Sequence, residues 1–436
     1  MESGASGFFF TVASTFHSPL FIHAYLGGII ILPTMHTIRN AIYPGLRGAF
    51  FYGAYWGAVG LHEPFIVVYF MRNNLTAEQI GWLAAVLPTC TLVITPLITR
   101  LADRTGRRVL LLALTCLIFG AALTLPAWPF FTPTFGAMIG FAALFAIFRS
   151  PIAALADSLV ASMAARRELD FGSMRLWGSI IFTLAAFSTG GIWARTGFET
   201  MFLFSGLGLL PVALAALLLD ELPARSEMNQ TLAKDEKPRG RFVLDTGILF
   251  LLGSTFLVIA ALFMAMTFTP ILMTQLGGSE TMVGWMTGTA ALCEVPGMLF
   301  GSRIARRLGS TTALLAAYTI ITAGLIGFGL STTPALLILC SGVRGLGFGL
   351  LLVGTVTTIN TRAPREFTST YQGILNAACW GLAPLLGGPV SGWVFQNQGP
   401  TALFYLSALM SLAAMLLILP TYKIWHTAPK PAALVE

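Results

Sequence analysis

The chain is predicted to be an all-α polytopic membrane protein, with twelve transmembrane helices in two parallel-repeat six-helix bundles. Three observations predict this. Of its 436 residues 56% are hydrophobic and only 10% charged, with a mean hydropathy of +0.80. A soluble domain carries about 25% charged residues, so most of this surface must face lipid. Apolar runs of about 20 residues, long enough to span hydrocarbon, recur along the whole chain. Lastly, one such run is repeated at a fixed offset in the second half.

The spans are expected at 47–70, 79–99, 109–128, 134–160, 172–194 and 198–220, then at 243–270, 281–302, 310–330, 334–359, 367–395 and 400–421. Each is an apolar run between polar or turn-forming residues. The longest polar run, 221–242, carries both signs of charge and reads as a cytoplasmic linker. The domain reading is therefore 1–46, an extension and cytoplasmic lead; 47–220, the first bundle; 221–242, the linker; 243–421, the second bundle; and 422–436, a cytoplasmic tail.

Charge placement gives the orientation. The net charge of +7 is not a nucleic-acid face, because the basic residues sit in short loops at alternating span ends. One set of loops holds Arg39, Arg47, Arg100, Arg104, Arg107, Arg108, Arg166 and Arg167. The same side holds the linker's basic residues, Arg303, Arg306, Arg307, Arg362, Arg365, Lys423 and Lys430, whereas the opposite loops hold Arg72 and Arg195. By the positive-inside rule the first side is cytoplasmic, with both ends of the core inside. The expected location is a plasma (inner) membrane. Residues 1–34 are apolar and aromatic, interrupted by His17, Pro19 and His23, without the charged start of a signal peptide. They are expected to be dispensable, with Met35 as an alternative start.

Gly81-Trp82 through Cys90 to Arg100–Gly106 aligns without a gap on Gly284-Trp285 through Cys293 to Arg303–Gly309, at an offset of 203. Each copy starts at an outer loop and ends in a basic turn. Same-way repeats related by an axis along the membrane normal can rock about a central site. The turn Leu101–Arg108 (L-A-D-R-T-G-R-R) resembles the signature between helices 2 and 3 of the major facilitator superfamily. That resemblance makes Asp103, Arg104, Gly106 and Arg107, with Arg303 and Arg307 of the second copy, a gating motif. Thr99 stands where the family opens the motif with Gly, and Arg306 replaces the acid in the second copy.

Ionisable groups within spans are costly, and they mark a pathway or pair up to fix packing. His62, Glu63, Arg149, Asp157, Arg175, Glu294 and Arg344 are such groups. Asp157 and Arg175 lie nine residues on either side of Arg166, which puts them at one depth on a hairpin, about 13 Å from its turn. Arg149 is two turns before Asp157 on roughly the same face. Glu294-Val295-Pro296 and Glu63-Pro64 are expected breaks in their helices, with Trp56 on the face of Glu63. Gln372, Asn376 and Trp380 form an i, i+4, i+8 stripe, suited to a ring-bearing solute or to gluing helices together.

The run Phe171–Ser179 (F-G-S-M-R-L-W-G-S) resembles the helix 5 segment of the lactose permease and phenylpropionate permease branch, a likeness that extends over about residues 47–421. It implies that Asp157 and Arg175 line a substrate site. The wider expected set is Arg149, Arg344, Gln372, Asn376, Trp380 and Trp56. Arg344 stands on the tenth span without an acid beside it, so lactose permease's proton site does not transfer, and Glu294, Glu63 and Asp157 remain as proton carriers. The expected function is proton-coupled symport of a small organic solute (aromatic carboxylate, nucleoside or sugar), with an exporter or a non-transporting receptor or enzyme as alternatives. Small solute, protons and the lipid bilayer are the expected partners of a monomer. No cofactor, metal or nucleic acid is expected: the cysteines Cys90, Cys116, Cys293, Cys340 and Cys379 lack metal-ligand spacing.

Overall fold

The computed structural model describes residues 42–221, 245–364 and 367–427. The expected extension 1–34 with Met35, Arg39, nearly all of the linker, Arg365, Lys430 and the end of the tail lie outside the described residues, as does the side chain of Arg306. Residues from Pro44 onward form one compact unit; of the chain before it only Ile42 and Tyr43 are described.

The helices are α1 (Pro44–His62), α2 (Ile66–Arg72), α3 (Ala77–Thr105), α4 (Arg108–Leu123), α5 (Phe135–Arg166), α6 (Phe171–Thr196), α7 (Phe198–Leu207) and α8 (Leu209–Leu217). After the linker come α9 (Thr246–Gln275), α10 (Glu280–Leu308), α11 (Ser310–Leu330), α12 (Pro334–Arg362), α13 (Thr368–Asn376), α14 (Ala383–Ile418) and α15 (Thr421–Thr427). Among the described residues nine stretches are long and apolar enough to cross a membrane. One of them, Thr370–Trp425, contains the break at Gly399, whose φ of 86° only glycine adopts readily. Exposed Val93, Leu97 and Leu101 on α3, and Leu409, Leu412, Leu416 and Leu419 near the end, recur at helical spacing. Such stripes are lipid-facing sides rather than misplaced core.

Several boundaries differ from the hydropathy reading. α3 and α5 run on through Thr105 and Arg166, because the helix continues past the apolar window into its charged end. The first span is broken between His62 and Ile66, where Pro64 has no N–H to give the ladder. The expected break at Pro296 is absent: α10 is continuous through it. There the backbone of α12 lies so close that a Cβ on Gly297 would meet the Leu346 carbonyl. Gly345 and Gly349 of α12 bring it equally close to the backbone of α10 at Ala290 and Glu294.

The repeat is visible in three dimensions. α3 and α10 each have 29 residues and each ends at a positive-φ glycine, Gly106 and Gly309. α1 packs on α6, α3 on α5, α10 on α12 and α9 on α14; across the linker, α3 meets α14 and α6 meets α10. Both crossings are backbone on backbone. A Cβ on Gly81 would strike the Gly388 carbonyl, and one on Gly284 the Ala186 carbonyl. These two glycines are the ones the repeat aligns.

Candidate functional site

Asp157 and Arg175 meet as the hairpin geometry requires. Arg175 donates from Nη1 to Asp157 Oδ2 at 3.0 Å. Their side chains remain 40% and 49% exposed. On α6, Met174, Gly178 and Ile181 face α1, whereas Ala186 and Gly190 meet α10. At 3.6 residues per turn Arg175 falls between these two faces, and so looks into the space between the helices, not toward lipid. Sequence reasoning missed a third member: the hydroxyl of buried Tyr52 donates to Asp157 Oδ1 at 2.5 Å. Tyr52 lies four residues before Trp56 and eleven before Glu63, one helical face, and that stripe was the available signal.

Arg149 turns from Asp157 to another partner. Its Nη2 lies 2.8 Å from Glu63 Oε2, while its guanidinium stands over the Phe145 ring. The break before α2 frees Glu63 to reach it. Neighbouring His62 is fully buried; its Nδ1 lies 3.1 Å from the Ala58 carbonyl and its Nε2 has no partner among the described residues. Trp56 packs edge-on to Phe182 and Tyr55, between α1 and α6.

In the second block Arg344 is 4% exposed and donates to Met266 Sδ at 3.4 Å. Glu294 interacts with it electrostatically, but among the described residues no carboxylate lies within 4.0 Å of it. The expected stripe on the eleventh span is interrupted. α13 ends at Asn376 and a π-helical turn, Ala377–Leu382, follows, so Trp380 departs from the line of Gln372 and Asn376. Such turns often sit at functional positions. Trp380 is exposed and edge-on to Phe348 of α12. Gln372 donates to Asn360 Oδ1 at 3.2 Å, and Asn376 is exposed.

The basic ends are tied differently from the outer ends. Asp103 pairs with Arg108 at 2.6 Å, with Arg104 and Arg107 exposed; Arg303 stands near the Phe300 ring and Arg307 is exposed. Asp220 bridges Arg47 at 2.9 Å and Arg167 at 2.8 Å. Burial opposes its charge, but the hydrogen bonds from Arg167 and Arg47 outweigh that and hold its carboxyl below the usual aspartate range. Glu221 accepts from the N–H groups of Arg108 and Val109, capping α4. At the outer ends Arg72 of α2 pairs with Glu280 of α10, and the Glu78 N–H donates to Gln396 at 3.0 Å. Both contacts cross between the helices before and after the linker. The half-exposed pair lies toward the basic ends, nine residues on either side of Arg166.

Comparison with known proteins follows this geometry. The model of the MFS_1 like family matches residues 46–406. The maltose permease of Geobacillus stearothermophilus is 26% identical over 401 residues, covering 89% of this chain and 96% of that protein. The probable 3-phenylpropionic acid transporter of Escherichia coli (strain K12) is 24% identical over 384 residues, covering 84% and 95%. Among solved structures, the nucleoside transporter NupG superposes with a TM-score of 0.71 at 16% identity, over 88% of this chain and all of that one.

Proposed function

The chain belongs to the MFS_1 like family and is a multi-pass membrane transporter of small solutes, and from that premise we propose that it carries out proton-coupled symport by alternating access. In this reading twelve spans form two six-helix halves in a plasma membrane, with both core ends cytoplasmic. The protein acts as a monomer. The observation that carries the reading is the Asp157–Arg175 pair, half exposed between helices whose outer ends are locked together. Asp157, Arg175, Arg149, Trp56, Arg344, Gln372, Asn376 and Trp380 contact solute. Maltose and 3-phenylpropionate, from the relatives' names, and a nucleoside, from the structural neighbour's, define the panel to test.

Glu294, Glu63 and Asp157 are the proton-carrier candidates. Glu294 is favoured because, unlike Glu63 and Asp157, it makes no ion pair within 4.0 Å among the described residues. Proteoliposomes containing the protein should accumulate a panel solute when the outside is made acidic, and lose that accumulation with a protonophore. Glu294→Gln keeps size and hydrogen bonding, so exchange of solute should persist while accumulation fails. Accumulation at the wild-type level would clear Glu294, and indifference to the proton gradient would remove coupling altogether.

A further inference from the structure

The chain that follows the last span of each half ties down the basic ends of that half. In the first half the ties are ionic. Asp220 bridges Arg47 of α1 and Arg167 after α5, and Glu221 accepts from the Arg108 and Val109 N–H groups at the start of α4. In the second half they are uncharged. Thr421 Oγ1 lies 3.0 Å from Thr311 Oγ1, and the Tyr422 hydroxyl bonds to Thr312 Oγ1. Thr311 and Thr312 stand 203 residues after Arg108 and Val109, the offset of the repeat. The openings of α4 and α11 are therefore tethered at equivalent places by different chemistry.

Pro420 gives no N–H to the end of α14, and its fixed φ suits the first turn of a new helix, α15. Thr421 and Trp425, four residues apart, share one face of that helix; both are buried, while Lys423 is exposed. The Trp425 ring lies against the start of α9, where a Cβ on Gly247 would strike its Nε1. Arg362, at the end of α12, stands over the same ring at 5.2 Å and donates to the Trp425 carbonyl at 3.4 Å. The buried Nε1 has no partner among the described residues, so the ring holds by packing and by the guanidinium over its face. One helix of seven residues thus touches the basic ends of α9, α11 and α12. Elsewhere α9 packs chiefly on α14 and meets α11 and α12 little. We propose that α15 is a strap that makes these three basic ends move as one body, the uncharged counterpart of the Asp220–Glu221 tie in the first half. Halves that rock about a central site have to keep their shape as they turn, and the strap serves that need where direct packing is thin.

The test is backbone hydrogen exchange on the purified full chain, followed by mass spectrometry. It needs no solute and so stands apart from the transport reading. Trp425→Ala should speed exchange in the opening turns of α9 and the closing turns of α12, beside the lost ring. It should also speed the opening turns of α11, held at the other end of α15. The rise should be at least about tenfold, with α4 unchanged. Trp425→Phe keeps a ring under Arg362 and should exchange like the wild type. Thr421→Val keeps the shape and drops the hydroxyl pair, so it should speed α9 as well as α11, by about fivefold. Glu221→Ala should do the reverse, speeding α4 and leaving α11 as it was. Faster exchange confined to the segments beside the changed residue would make these contacts local packing and overturn the strap. No change, or a rise in α4 equal to that in α11 on altering α15, would overturn it equally. If Trp425→Ala is not recovered from the membrane, Thr421→Val alone decides between these outcomes.

Discussion

Taking Arg175 from Asp157 should cost less stability than burial arithmetic implies. One partner lost from a fully buried pair costs about 3–5 kcal/mol. These side chains are 49% and 40% exposed, which brings the cost nearer the roughly 1 kcal/mol of a solvated pair. Arg175→Gln should therefore fold and reach the membrane, yet lose uptake. The double variant Asp157→Asn, Arg175→Gln should be no less stable than either single one and remain inactive; recovered uptake would make the pair scaffold. Arg175→Lys loses the planar fork and should bind solute poorly. This pair was legible because its two members stand equally far from one hairpin turn. Tyr52 was not, since a phenol in an apolar helix reads as packing until a carboxylate is found beside it. Nor was the Arg149–Glu63 bond, which depends on how the chain breaks at Pro64 and not on spacing within α5.

Among elements, the aligned glycines decide how closely helices approach. Gly284→Ala puts a methyl group against the Ala186 carbonyl, with no flexible side chain there to yield, so α6 and α10 must part at their outer ends. Spin labels at Asn74 and Gln398 should show a longer distance population in this variant, and in Glu280→Gln, which removes the Arg72 pair. An unchanged distribution would show that these contacts do not set the closed outer state. At the other end, Asp220 has its carboxyl held below the ordinary value of 3.8. Its stabilisation is therefore full above that value and disappears as pH falls through the lowered one. The melting-temperature gap between the wild type and Asp220→Asn should be constant from neutral pH down to about 4 and then close; a gap that persists in stronger acid would mean the bridge does not act through this charge. The repeat announced α3 and α10 as equivalents in the sequence. That its glycines form the outer crossings was not readable, because the partners Gly388 and Ala186 lie in helices the repeat does not include.

For the whole molecule, composition and hydropathy were enough for a helical membrane fold, since lipid penalises any unsatisfied backbone and leaves helices as the economical solution. Hydropathy windows did not place the helix ends, which in α3 and α5 run on into charged residues. Orientation rests on Lys and Arg placement. Reporters fused after Leu232 and after the last helix should read cytoplasmic, and one within Trp128–Pro133 should read outside. An inside reading there would break the twelve-span assignment.

The glycine crossings also have an electrical meaning. A membrane potential falls across whatever layer water penetrates least. Here that layer is the outer one, where α3 meets α14 and α6 meets α10 without side chains between them. Asp157 and Arg175, on the basic side of those crossings, then sit close to the potential of the compartment on that side. A charge passing between them and that compartment crosses little voltage. The roughly 2.3 kcal/mol per charge per 100 mV is met instead when the site turns to face the other side. Efflux into the basic-side compartment should thus be nearly indifferent to a clamped potential, with the voltage dependence of net uptake residing in reorientation; a steep voltage dependence of that release step would place the resistive layer elsewhere.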